Sequence, residues 1–219
     1  MIYSNKHRFI FFATPKTATH ALRQALTPHL GPDDWEQQVL YGQSAAPIPA
    51  LAAIKHGHIS ARQLRPHVND ADWAAFLKFG FVRNPFDRFV STCFFLNRNN
   101  ENFAADATHF MKRALRMPNF KRRILVRPQV ELLTGEDGQV ALDIVGRYES
   151  LQASFDEISA ALGLPSVDLA RKNASQHKSF TEYYDDELIE SVAKFYADDF
   201  KMFSYDPELV DTGSISAGN

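Results

Sequence analysis

Residues 9–26 read FIFFATPKTATHALRQAL. The first four side chains form an unbroken apolar run, which suits a short strand covered on both faces in a parallel sheet, where alternation with polar residues is lost. From Thr17 onward the apolar positions are Ala18, Ala21, Leu22, Ala25 and Leu26, the spacing of one helical face. Strand, tight loop and helix in that order put the positive end of a helix and several unpaired backbone N–H groups at the loop, which is where phosphates bind. Lys16 adds a point charge there, and Thr17 and Thr19 add hydroxyl donors. The loop has no glycine, and the first in the chain is Gly31. A triphosphate loop needs G-x-x-x-x-G-K-[ST], so a nucleoside triphosphatase of that type is sterically disfavoured. A purely structural reading also fits: Thr14 caps a helix, Pro15 takes its first position and Lys16 is a solvated charge.

The arrangement recurs at FGFVRNPFDRFVSTCFF, residues 79–95. An apolar strand over Phe76–Val82 runs into a helix whose face passes through Phe86, Phe89, Val90, Cys93 and Phe94. Asn84 as cap, Pro85 in the first position and Asp87 completing a reciprocal pair explain that helix start. They do not explain Arg83, left at the strand's carboxyl end. Ligands of open α/β sheets bind beyond those ends, so Arg83 and Lys16 are expected to face one crevice. Ser91, two helical turns on, adds a hydroxyl, and Arg88 is expected in a surface or sheet-edge salt bridge. Further strands are expected at 51–54 and 140–145, helices over 60–76, 103–116, 151–162 and 185–200, and an irregular excursion over 31–49. The alternation argues for an α/β fold, a parallel sheet flanked by helices on both faces. Residues 1–210 are expected to form a single domain, with 211–219 a frayed tail.

With 219 residues, 45% of them apolar and 18 of them Phe, the chain has material for one sizeable core. A formal charge of −2 argues against a general nucleic-acid binder and gives no push toward polyanionic glycans, so an anionic ligand must be held by local positive charge. Cys93 is the sole cysteine, reads as a buried small hydrophobe and fits a reducing compartment. No window approaches 18 uninterrupted apolar residues, so no membrane span is expected. Residues 1–8 lack the apolar core of a secretory signal, and a cytoplasmic protein is expected. His56 and His58, one residue apart at the expected end of the 51–54 strand, would point the same way into the crevice. With no third ligand near them, a zinc site is not expected.

Pro15-Lys16-Thr17-Ala18-Thr19 and Arg83-Asn84-Pro85-Phe86-Asp87-Arg88-Phe89-Val90-Ser91, each after a strand, resemble the two signatures of sulfotransferases that use 3′-phosphoadenosine 5′-phosphosulfate (PAPS). Lys55-His56-Gly57-His58, Gly146-Arg147-Tyr148-Glu149-Ser150-Leu151, Arg171-Lys172-Asn173-Ala174-Ser175 and the segment from Asp198 to Tyr205 are similar to the carbohydrate-type branch that includes heparan sulfate 2-O-sulfotransferase. The resemblance implies that Lys16 meets the oxygen bridging phosphate and sulfur, with Thr17, Ala18, Thr19 and His20 around the phosphosulfate. It implies that Arg83 and Ser91, with Arg171 and Lys172, grip the 3′-phosphate. It also implies that His58 is the general base, with His56 orienting it. The acceptor is then a hydroxyl of a carbohydrate or small molecule, the product adenosine 3′,5′-bisphosphate, and no metal is needed. The chain departs from the family at His20 and Ala21, where small hydroxyl residues are usual, and at Asn173, often glycine. Two alternatives stay open: a small-molecule kinase of P-loop type, and an inactive nucleotide-binding interaction domain.

Overall fold

The computed structural model describes residues 1–38, 46–169 and 179–209. Its strands are β1 (Ile2–Ser4), β2 (Phe9–Phe12), β3 (Trp35–Glu36), β4 (Leu77–Val82) and β5 (Ile144–Arg147), which form one sheet in the order β3-β1-β2-β4-β5. The three that carry the apolar runs are parallel, with Phe11 beside Phe79 and Phe81 beside Gly146, while β1 runs antiparallel to both its neighbours. The described α-helices are α1 (Thr19–Leu26), α2 (Pro49–Ala52), α3 (Ala61–Leu64), α4 (Asp70–Ala75), α5 (Pro85–Leu96), α6 (Ala107–Arg116), α7 (Pro118–Lys121), α8 (Val130–Leu133), α9 (Leu151–Ala161), α10 (Asp186–Phe195) and α11 (Ala197–Met202). None of them is long and apolar enough to cross a membrane. The described residues belong to two compact units, one drawn from Met1–Arg83 and Gln129–Ala174, the other from Asn84–Pro128 and Ser175–Asn219.

The first unit holds the whole sheet. All four residues of β2 are buried, as an unbroken apolar run requires. On one face Phe9, Phe11, Phe79 and Phe81 pack with Leu22 and Leu26 of α1 and Phe155 and Ile158 of α9. On the other, Phe12 meets the edge of Trp73 from α4, and Gly80 lies so close to Leu142 and the Phe12 carbonyl that a Cβ would collide, with Leu133 of α8 at packing distance. Helices thus cover both faces, the expected α/β arrangement.

Two expectations need correction. The 51–54 strand does not exist: Pro49 opens α2 in its first position, and Ala and Leu then favour a helical turn. Within the 31–49 excursion, Trp35 and Glu36 form an edge strand on β1, and β1 itself was not foreseen. Its hairpin with β2 is tied by Asp34, whose carboxylate accepts from Ser4 Oγ at 2.6 Å and from the backbone N–H of Asn5 at 2.6 Å, Lys6 at 3.1 Å and Gly31 at 2.9 Å.

In the second unit, α5, α6, α10 and α11 close on Phe86, Phe89, Val90, Met111, Leu188, Val192 and Phe200. Cys93 is buried in this core as expected, and burial pushes its thiol pKa well up, so it stays uncharged. Asn84 caps α5 by accepting from the Phe86 N–H at 2.9 Å. Arg88 is no surface residue: it is 0% exposed. Its guanidinium donates to the carbonyls of Leu125 at 3.3 Å and Arg127 at 2.7 Å, and it faces the equally buried Asp199 at 3.9 Å. Arg88→Ala would take the guanidinium away from those carbonyls and from a buried carboxylate, and is expected to cost about 3–5 kcal/mol. Denaturant unfolding checks this; a loss near zero would return Arg88 to the surface role.

Candidate active site

Between β2 and α1 the backbone turns left-handed twice, with φ 67° at Lys16 and 58° at Ala18. Such dihedrals favour glycine, and a side chain there costs about 1–2 kcal/mol each. Thr14 is therefore not the cap of α1. The helix starts at Thr19, and its N-cap, Ala18, offers no side-chain acceptor. No acidic residue lies in the first turn, so the positive helix end is uncompensated.

Strain of this kind persists where the surroundings over-determine it, and three donors hold the loop's carbonyls. His58 Nδ1 lies 2.7 Å from Ala13 O, Thr17 Oγ1 donates to Thr14 O at 2.9 Å, and Arg83 Nη1 donates to Lys16 O at 3.1 Å. In a planar trans peptide the N–H points opposite to the C=O. The N–H groups of Thr14 and Thr17 therefore point away from His58 and Arg83, respectively. Thr14 is fully buried, and its Oγ1 has no hydrogen-bond partner among the described residues.

His58 arrives on a loop, not a strand. Lys55 is left-handed at φ 57°, and Gly57 passes so close to the Gln37 carbonyl and the Arg23 guanidinium that no Cβ fits. The side-chain amide of Gln37 knits this segment, donating to Leu51 O at 2.9 Å and His56 O at 3.0 Å and accepting from Ala46 N at 3.0 Å. Arg23 of α1, buried and ion-paired with Glu36, donates to Gln37 O at 3.1 Å. The two histidines do not align as on a strand; instead the His58 backbone N–H donates to His56 Nδ1 at 3.3 Å.

Because a carbonyl only accepts, Nδ1 of His58 carries the proton, and Nε2 keeps its lone pair. Burial holds the ring's pKa down to about 3, against the opposing pull of the Ala13 hydrogen bond. His58 is thus a neutral imidazole of one tautomer at any ordinary pH.

Arg83 is 5% exposed, and its guanidinium lies over the Tyr148 ring, 3.9 Å from the centroid. Its backbone N–H donates to Gln129 Oε1 at 2.9 Å, and Gln129 Nε2 donates back to Arg83 O at 2.9 Å. Loop, His58 and Arg83 are therefore one connected construction in the first unit, through the carbonyls of Ala13 and Lys16. His20 follows Thr19 in the first turn of α1 and is half-buried. Ser91 lies on α5 of the second unit and is buried. Arg171 and Lys172 lie outside the described residues, as does the 211–219 tail. Sequence reasoning did not single out Gln129 for the site, and it assigned Tyr148 no role there. Gln129 has no motif around it, whereas Tyr148 stood in the GRYES segment already noted.

Searches among curated proteins and solved structures find no match. The family model described as "Sulfotransferase family" matches residues 1–206, nearly the whole chain and both loops. With that match, and with a sheet whose β2, β4 and β5 run parallel between layers of helices, the chain belongs to the sulfotransferase family.

Proposed function

We propose that the chain moves a sulfuryl group from PAPS to a hydroxyl of a carbohydrate or small molecule. The observation that carries this reading is the first loop, whose carbonyls are drawn back by His58, Thr17 and Arg83. A backbone held that way offers N–H groups to one anionic group, and the unpartnered Thr14 hydroxyl adds to the polarity of the same loop. The glycine-free cradle is short, which suits a single phosphate bearing a sulfuryl group better than a triphosphate.

Thr17, Ala18, Thr19 and His20 hold the phosphosulfate. Arg83 and Ser91, with Arg171 and Lys172, take the 3′-phosphate. His56 orients His58. Nε2 of His58 takes the acceptor's hydroxyl proton as the acceptor oxygen bonds to sulfur and the bond from sulfur to the bridging oxygen breaks. Lys16 meets the charge growing on that oxygen, which leaves with adenosine 3′,5′-bisphosphate. Positioning and electrostatics suffice, as in phosphoryl transfer.

The 3′-phosphate distinguishes this donor from other nucleotides. Adenosine 3′,5′-bisphosphate is expected to raise the melting temperature more than AMP at equal concentration. A tenfold affinity difference is worth about 1.4 kcal/mol, or roughly 3–5 °C for a chain of this size. Equal shifts, or a larger one with ATP and magnesium, would sink the assignment.

A further inference from the structure

We infer that Gln129 is a positioning residue that sets the nucleotide specificity of the site by fixing where the Arg83 side chain starts; this rests on the PAPS reading above. The last ladder pairs of β4 are Gly80 with Phe12 on one side and Val82 with Arg147 on the other. Arg83 therefore follows the sheet's hydrogen bonding, in a buried place where its N–H and C=O still need partners. Gln129, fully buried, supplies both through one planar amide, at 2.9 Å and 2.9 Å. Two bonds to the same residue fix its direction as well as its position, as a paired strand residue would. The direction matters because the guanidinium must reach two things at once: the Tyr148 ring at 3.9 Å and the Lys16 carbonyl at 3.1 Å. A slip at Arg83 would therefore move the cation proposed to read the 3′-phosphate and would loosen the loop proposed to hold the phosphosulfate.

Only a group that both accepts and donates can replace the amide. The test measures affinities for adenosine 3′,5′-bisphosphate and for AMP by calorimetry, in the wild type, Gln129→Met, Gln129→Glu and a neighbouring core control, Val130→Ala. Gln129→Met loses both bonds, and the preference for the bisphosphate is expected to fall about tenfold. Gln129→Glu is expected to lose it likewise at pH 8, where the carboxylate cannot donate. It is expected to regain it near pH 5.5 relative to wild type at that pH, because the protonated acid accepts and donates as the amide does. Val130→Ala perturbs the same turn and is expected to leave the preference unchanged. If Gln129→Met fails to fold, the pH-dependent recovery of Gln129→Glu decides the matter alone. A preference within about twofold of wild type in both Gln129 variants at both pH values overturns the inference. A wild type without any preference overturns the PAPS reading itself, and the role of Gln129 with it.

Discussion

His58→Ala is expected to lower turnover by about 10²–10⁴, the usual worth of a positioned general base. The geometry adds a second consequence, because the same ring holds the Ala13 carbonyl at 2.7 Å through Nδ1. Alanine removes the base and an anchor of the strained loop together, so nucleotide affinity is also expected to fall by a few-fold. His58→Asn separates the two. Its side-chain amide stands where Nδ1 stands and still donates to Ala13 O, yet it offers no lone pair for a proton. The asparagine variant is expected to bind adenosine 3′,5′-bisphosphate nearly as wild type does and to turn over as poorly as the alanine variant. If both variants keep turnover, His58 is only a buckle for the loop.

The pH behaviour follows from the same burial. His58 titrates near 3 in the folded chain and near 6.5 unfolded. Below pH 6.5 the unfolded chain takes up a proton that the folded chain refuses. This group's contribution to stability is therefore complete above pH 6.5 and is lost as pH falls toward 3, at up to about 1.4 kcal/mol per pH unit. The His58→Asn variant is expected to have a flatter stability profile between pH 6 and 4. In activity, kcat/KM is expected to show no His58 limb between pH 5 and 8, since the free enzyme holds the imidazole neutral throughout. A limb near 6.5 would mean a solvated ring.

The parallel part of the fold was legible because β2 is apolar along its whole length and β4 is interrupted by one charge, Lys78, and because each leads into a helix with a clear face. The edge was not. β1 and β3 have three and two residues, too few to display any period, and they exist through Asp34 and the buried Arg23–Glu36 pair. At the site, Lys16 stood out as a cation at a helix start, and Arg83 as one that capping chemistry left unexplained. Their connection did not, because Arg83 reaches a backbone carbonyl, and any residue has one. Left-handed Lys16 and Ala18 carry no signature either, since their dihedrals are imposed by ties to His58 and Arg83 from far along the chain. Gln129 meets Arg83 across 46 residues, a pairing that no local pattern encodes.

Lys16→Ala is expected to cost about 10²–10³ in rate, the range for removing one preorganised charge at a developing oxyanion. If Lys16 meets charge that appears only as the bond to sulfur breaks, kcat and kcat/KM fall together. A rise in KM for the donor with kcat intact would make Lys16 a plain binding group instead. The backbone supplies a control, because φ at this position is 67°. Glycine fits that conformation better than lysine or alanine, so Lys16→Gly keeps the loop at least as well formed while removing the same ammonium. Equal activity losses in the glycine and alanine variants, with the glycine variant no less stable, assign the loss to the charge. Lys16→Arg is not expected to restore the rate, since a planar fork delivers its charge farther out and in another geometry than a compact ammonium. A glycine variant that regains much of the wild-type rate would show that the shape of the loop, and not the lysine on it, supplies the catalysis.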